Sequence, residues 1–190
     1  MAQLHFYYGT MGSSKSAALI MNAFNYKKNG IKTQVIKPSF DKRFSQDKIV
    51  SRIGIETDAL SMPNLSKYVP ETDTKILFVD EVQFFKPSDI DNLVHIADNL
   101  GIIVICYGLM TDSNEHIFPS SARLIEVGAK LHLLQSNCQI NGCLKPATHH
   151  LRFNADGNVI TQGAQLELGD TKYKSVCRQH FNELYHSKTK

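Results

Sequence analysis

The stretch Gly9-Thr10-Met11-Gly12-Ser13-Ser14-Lys15-Ser16 has the residue types and spacing to hold a phosphate chain. It follows an apolar run, Leu4–Tyr8, and precedes Ala17–Phe24, which reads as a helix. The pattern approaches G-x-x-x-x-G-K-[ST], with Ser14 in the place of the second glycine. A loop between a strand and a helix aims backbone N–H groups and the positive end of the helix dipole at one point. In this reading Gly9 to Ser14 wrap the phosphates, Lys15 reaches the β/γ-phosphates, and the Ser16 hydroxyl holds Mg²⁺. The structural alternative is a strand–turn–helix with a chance Lys-Ser. Ser14 carries a penalty, because a left-handed backbone there costs a non-glycine residue roughly 1 kcal/mol.

A second candidate is the acidic pair Asp80-Glu81, which closes the apolar run Ile76–Val79. An acid at the end of a buried strand is where phosphate-loop proteins hold Mg²⁺. Ligands in open α/β sheets gather at the carboxyl ends of strands, so Asp80 is expected beside Gly9–Ser16. Glu81 points elsewhere and is free to take a proton from an attacking hydroxyl. Capping of a strand end would explain the same pair without any chemistry.

The third set is Cys138, Cys143, Cys177 and His180. Asn141-Gly142 supplies a tight turn between the first two, and Cys177-x-x-His180 forms a second knuckle. Three thiolates and one imidazole suit a closed tetrahedral zinc site of structural type. His149 and His150 compete for the fourth place, although neighbours in a strand point to opposite faces. Cys106, inside an apolar strand, reads as a small hydrophobe.

These groups need a scaffold. Apolar runs at Leu4–Tyr8, Thr33–Ile36, Ile76–Val79, Ile102–Tyr107 and Leu131–Leu134 read as strands, with helical patterns between the last three. Ile90, Leu93, Val94, Ala97 and Leu100 share one helical face, with Pro87 or Ser88 near its start and Gly101 past its end. Alternating strands and helices predict a parallel sheet covered on both faces. Residues 39–68 show weak periodicity and read as a long polar excursion. After about Gln135 short hairpin-like pieces appear, including Leu151–Phe153 and Asn158–Ile160 around Asp156-Gly157. Phe6, Tyr7, Tyr8 and Phe24 read as core aromatics. Two units follow, residues 1–135 around the phosphate loop and residues 136–190 around the zinc ligands; the second has little apolar content, and a metal would help it fold.

Composition bounds the function. Hydrophobic residues at 42% and charged residues at 21% are ordinary for a soluble globular chain. A net charge of +3 without a basic stripe argues against duplex nucleic-acid binding. No run reaches the length of a membrane span and no signal peptide precedes the first strand, so a cytoplasmic location is the default. Four cysteines in such a chain suit metal ligation or burial better than disulfides.

Asp80-Glu81-Val82-Gln83-Phe84-Phe85 resembles the D-E-x-Q-F-F signature of the thymidine kinases of the cytosolic type, an α/β family with a P-loop, RecA-like sheet and a small zinc-containing lasso module. Gly9–Ser16 is similar to their phosphate loop, including Met11. Lys37-Pro38 with Asp41-Lys42-Arg43 resembles their segment after the second strand. Tyr107-Gly108-Leu109 with Thr111-Asp112, and Lys172-Tyr173 with Ser175–His180, resemble their pocket strand and their C-terminal end. The matches run in order along almost the entire chain.

The resemblance implies transfer of the γ-phosphoryl group of ATP to the 5′-hydroxyl of thymidine or deoxyuridine. It makes Glu81 the general base and gives Asp80 and Ser16 to magnesium. Val82 and Gln83 join Asp80 and Glu81 as the second segment facing ATP. Asp41 and Arg43 lie near the nucleoside 5′ end; Met11, Phe84, Leu109 and Tyr173 line the nucleoside pocket; backbone around Leu166 and Leu168 reads the base edge. A homotetramer inhibited by its triphosphate end product is implied as well. Three departures stand out: Ser14, Ser113-Asn114 in place of a pocket phenylalanine and a basic residue, and Leu168-Gly169 in place of Gly-Gly. The rival readings are a zinc-containing P-loop ATPase stimulated by nucleic acid and a phosphate-loop protein that binds nucleotide without transferring it.

Overall fold

The structure is a computed structural model that describes residues 3–41, 47–161 and 172–186. Arg43, Leu166 and Leu168 lie outside these residues. The first strand, β1 (Leu4–Tyr8), runs into the loop and then α1 (Lys15–Lys28). There follow β2 (Thr33–Pro38), β3 (Lys48–Val50), β4 (Glu56–Asp58), β5 (Leu60–Met62) and β6 (Ile76–Val79). A single 3-10 turn over Val82–Phe84 leads to α2 (Pro87–Leu100), β7 (Ile103–Gly108), α3 (Pro119–Glu126) and β8 (Lys130–Leu133). The C-terminal part holds β9 (Ser136–Asn137), β10 (Pro146–Ala147), β11 (His149–Phe153), β12 (Lys172–Val176) and α4 (Arg178–His186).

Six strands form one sheet in the order β5-β2-β6-β7-β1-β8. Every pairing in it is parallel. Alternate side chains go to opposite faces. Leu77 and Val79 of β6 pack with Ile90, Leu93, Ile96 and Ala97 of α2 and Leu124 of α3. Ile76 and Phe78 pack with Leu19, Ile20 and Ala23 of α1. Both faces are therefore dry, and the apolar runs of β6 and β7 have no polar alternation because neither side meets water. Helix α2 starts after Lys86, whose backbone N–H donates to the Asp89 carboxylate at 2.9 Å. The second Asp89 oxygen accepts the Leu65 N–H, fixing the loop ahead of the helix.

The described residues between 39 and 68 are more regular than their composition predicts. Strands β3 and β4 form an antiparallel hairpin, and β5 adds a parallel edge next to β2. The hydrophobic pattern is weak there because Ile49 and the neighbouring Ala59 are the apolar residues the hairpin buries, against α1; backbone bonds supply the order. Phe24 is not a core residue: it is 62% exposed on the outer side of α1, as is Met21. The turn at Asp156-Gly157 is present, with Asn154 N–H donating to Asn158 O and Ile160 N–H to Arg152 O. The main partner of β11, however, is β12, with His150 opposite Ser175 and Arg152 opposite Tyr173. This two-stranded ribbon presents Leu151 and Val176 to a small core with Cys138, Cys177 and Phe181.

Candidate active site

Gly9 sits where the chain leaves β1, and the position admits no side chain. A Cβ on it would lie 2.3 Å from the Leu134 carbonyl oxygen and 2.5 Å from Ser13 Oγ. Ser14, at the mouth of α1, has φ 61° and ψ 25°, the left-handed region expected of glycine. Its side chain makes no cap bond, so the strain is uncompensated locally. Lys15 is buried; its Nζ donates to Thr10 O at 2.8 Å, Gly9 O at 3.3 Å and Ser13 Oγ at 3.4 Å. The ammonium is thereby drawn into the loop rather than left to solvent.

Asp80 meets this loop from the end of β6. Its backbone N–H donates to Ile36 O, and its Oδ2 accepts the Ser16 hydroxyl at 3.1 Å. Burial raises the Asp80 carboxyl well above the usual carboxylate range, and the adjoining Glu81 charge adds to this. The Ser16 hydrogen bond and the Lys15 charge pull in the other direction. A magnesium ion would meet here a carboxylate and a hydroxyl already in contact, which fits the hard oxygen ligands that ion takes.

Glu81 is a second non-glycine residue in the left-handed region, at φ 47° and ψ 42°. Strained backbone of this kind persists where surrounding contacts hold it. The holder is Gln83, whose Nε2 donates to Glu81 Oε2 at 2.6 Å. The Gln83 carbonyl oxygen accepts the Leu109 N–H at 2.9 Å. Val82, between them, is fully buried in the main core, so only its backbone is available to a ligand.

A cavity of about 690 Å³ joins these groups. From the loop, Met11, Gly12, Ser14, Lys15 and Ser16 reach it; Gly9, Thr10 and Ser13 lie behind this surface. Asp41, Asp80, Glu81, Gln83, Phe84, Leu109 and Tyr173 also line it. Of the residues predicted for nucleotide and nucleoside, those that fall within the described chain line this cavity, apart from Gly9, Thr10 and Ser13 behind its surface and Val82 in the core. Phe84 packs edge-on against Phe40 and Phe118, with centroids 5.3 and 6.1 Å away. Phe118 provides an aromatic wall near Ser113, the position read from sequence as having lost one.

The sequence offers His150 only as a rival zinc ligand; it lies outside the Cys138, Cys143, Cys177 and His180 cluster, lines the cavity instead and is 4% exposed. In β11 it alternates with His149, whose ring turns away to stack on Phe181 at 4.6 Å. Burial first, and then the Lys15 charge, hold the His150 imidazole down to about 4, with Asp112 partly opposing them. The signal was available only as strand alternation, and the partner strand could not be read from sequence.

The C-terminal ribbon is fastened to the loop. Ser175 Oγ donates to Met11 O, and Thr10 Oγ1 and Ser136 Oγ share a hydrogen bond at 2.7 Å. Behind the ribbon, ligand atoms of Cys138, Cys143, Cys177 and His180 all lie within 4.8 Å of one another. Cys138 Sγ and Cys177 Sγ each lie 3.4 Å from His180 Nδ1, and the Cys143 and Cys177 sulfurs are 4.0 Å apart. Tetrahedral zinc with ordinary bond lengths sets these edges at about 3.6 and 3.8 Å. The donor set fits. Burial raises the Cys138 thiol, but hydrogen bonds from the Ile140 and Cys177 backbone and from His180 outweigh it and bring the thiol to about 6, which favours the ligating thiolate. Cys106 is buried in β7, and burial pushes its thiol up, as for a packing residue.

A family model described as thymidine kinase matches residues 2–181. A thymidine kinase of Shewanella oneidensis is 37% identical over 192 residues, covering 97% of this chain and 98% of that protein. One from Enterobacteria phage T4 is 38% identical over 191 residues, covering 97% of each chain. One from Rhodopirellula baltica is 36% identical over 197 residues, covering 99% of this chain and 92% of its own.

Proposed function

The chain belongs to the thymidine kinase family, and we propose that it transfers the γ-phosphoryl group of ATP to the 5′-hydroxyl of thymidine, with deoxyuridine as a second acceptor. The contact of Ser16 with Asp80 across the loop, beside Glu81 in one cavity, carries this reading. Gly9–Ser16 cradles the phosphate chain, and Lys15 exchanges its carbonyl partners for phosphate oxygens. Ser16 and Asp80 hold Mg²⁺, which when bound neutralises charge on the β- and γ-oxygens. Glu81 accepts the proton of the 5′-hydroxyl as the phosphorus–oxygen bond forms and the ADP oxygen leaves.

Met11, Phe84, Leu109, Phe118 and Tyr173 enclose the nucleoside, with Asp41 near its 5′ end. Enclosure matters because water admitted to the site would compete with the sugar hydroxyl for the phosphoryl group. Arg43, Leu166 and Leu168 keep the roles that the family likeness gives them. We divide the chain into a kinase unit, 1–135, and a unit, 136–190, that closes over the nucleoside. Zinc held by Cys138, Cys143, Cys177 and His180 is structural and lies away from the reacting atoms. Family likeness implies a homotetramer in the cytoplasm; exposed Met21 and Phe24 on α1, and Leu131 and Leu133 on the edge strand β8, offer apolar surface to an assembly of copies. No helix among the described residues is long and apolar enough to cross a membrane.

The test is transfer of labelled γ-phosphate from ATP to thymidine, with guanosine and single-stranded DNA as controls. Magnesium-dependent formation of thymidine monophosphate is expected. Absence of transfer, with ATP hydrolysis that rises on adding DNA, would replace the kinase by a nucleic-acid-stimulated ATPase.

A further inference from the structure

The hairpin β3–β4 places one cation over the phosphate loop that the motif does not contain. Its tip, Ser51–Ile55, is closed by Ser51 N–H donating to Ile55 O at 2.9 Å and Gly54 N–H to Ser51 O at 3.0 Å. The root is held by Lys37 Nζ, which donates to Lys48 O at 3.0 Å, and by Ala59 N–H, which donates to Asp47 O at 2.9 Å. Ile49 and Ala59 pack the hairpin onto α1, the helix whose N-terminus forms the loop. The tip is therefore anchored relative to Gly9–Ser16.

Arg52 projects from that tip into the cavity wall, where Gly12, Ser14 and Lys15 also lie. Its Nη1 is 3.7 Å from the point a Cβ on Gly12 would occupy. Lys172 and Lys174 of β12 also line the cavity, Lys174 lying over the Phe153 ring, and the three lysines nearer the loop are engaged. Lys15 donates within the loop, Lys37 to the carbonyls of Asp41 and Lys48, and Lys48 to Glu56. Arg52 has no hydrogen bond or ion pair with any described residue. Beside it, Ser51 is 6% exposed and its buried hydroxyl also has no partner. A guanidinium offers five N–H donors in a fork that matches phosphate oxygens in pairs.

We propose that Arg52 is a phosphate-binding residue of this site, clamping the phosphate chain of ATP from the hairpin side while Lys15 and the loop amides hold it from below. The inference rests on the kinase reading for the identity of the nucleotide. Charge that develops on the transferring phosphoryl oxygens then meets a preorganised fork as well as the lysine. Lysine at the same place keeps the charge and loses the paired geometry.

The experiment compares wild type, Arg52→Ala and Arg52→Lys. Binding of ATP, ADP and adenosine is measured by calorimetry at two salt concentrations, and phosphoryl transfer to thymidine is measured in parallel. For Arg52→Ala the ATP Kd is expected to rise by about tenfold or more, as for loss of a charge-assisted pair. ADP affinity is expected to weaken less and adenosine affinity to stay unchanged. The KM for ATP should rise, the KM for thymidine should hold, and Arg52→Lys should recover part of the loss. Salt should weaken ATP binding more steeply in wild type than in Arg52→Ala. An ATP Kd within about twofold of wild type, or an equal loss for adenosine, overturns the proposal. Thermal melting of both variants shows whether the hairpin has merely come loose; if Arg52→Ala melts early, Arg52→Lys decides by the same ATP-to-adenosine contrast. Wild-type protein that binds ATP but transfers nothing to thymidine overturns the kinase reading alone, and the binding comparison still decides Arg52.

Discussion

Gln83 holds Glu81 by a 2.6 Å hydrogen bond from its Nε2 to the carboxylate, and its oxygen accepts the Leu109 N–H at 2.9 Å. One amide thus ties the strained start of the 3-10 turn to the end of β7, where the cavity wall begins. The close approach depends on Gly108. A Cβ there would lie 2.5 Å from Gln83 Oε1 and 2.9 Å from Val82 Cγ1.

Gln83→Leu removes the donor that fixes Oε2 of the Glu81 carboxylate. A hydrogen bond to a charged group contributes about 1.5–3 kcal/mol, so kcat should fall about 10- to 100-fold. ATP affinity should change little, since the loop and Lys15 are untouched. Gly108→Ala should show the same pattern by pushing Gln83 aside. Direct removal of the base by Glu81→Gln should lower kcat by about tenfold or more. Steady-state kinetics checks all three, and an unchanged kcat in Glu81→Gln would remove Glu81 from the base role.

Ser14 holds a left-handed backbone with no side-chain bond to compensate it. Glycine relieves that strain at about 1–2 kcal/mol, against about 0.5–1 kcal/mol of added unfolded-chain entropy. Ser14→Gly should therefore stabilise the protein by up to about 1 kcal/mol, while Ser14→Ala should gain nothing. Urea titration of the two variants separates these outcomes; equal midpoints would mean that the loop relaxes without glycine.

The parts legible in sequence were those whose physics is local. Strand β6 reads correctly because burial on both faces leaves an unbroken apolar run that ends on Asp80. The αL conformation at Ser14 was foreseeable because the loop pattern demands it there. The zinc knuckles follow from ligand type and spacing. What stayed hidden depends on long-range pairing. The β3–β4 hairpin carries almost no apolar pattern, since Ile49 alone on its strands is buried in the core, so Arg52 had no visible place. His150 needed the β11–β12 register, set by a strand more than a turn's length away in sequence. Phe24 was misread because helix α1 buries Leu19, Ile20 and Ala23 and leaves the neighbouring ring outside.

Zinc removal should act at a distance. The ribbon that packs on Cys138 and Cys177 is the same one whose Ser175 hydroxyl bonds Met11 O. Chelation, or Cys177→Ser, should expose the C-terminal segment to protease before the parallel sheet loses its far-ultraviolet signal. ATP affinity should weaken in step, because the loop loses the Ser175 and Ser136 contacts. A small unit with little core draws much of its folding energy from the metal. Full protease resistance after metal loss, verified by elemental analysis, would contradict a structural role.

His150 couples stability to acid. Its imidazole is held down to about 4 in the folded protein, from an ordinary value of 6.5, by burial and by the Lys15 charge. Between those two values the unfolded chain binds a proton that the folded chain refuses, so stability falls as the pH drops through that window. The slope amounts to a loss on the order of 2–3 kcal/mol across it. His150→Asn keeps a polar side chain of similar reach and cannot titrate. Its urea midpoint should therefore decline less steeply than that of wild type from pH 6.5 to pH 4.5. His5, His132 and the carboxylates are common to both proteins and cancel in the comparison. Parallel curves would mean that the folded protein admits the proton, and that the cavity around His150 is wetter than its 4% exposure implies.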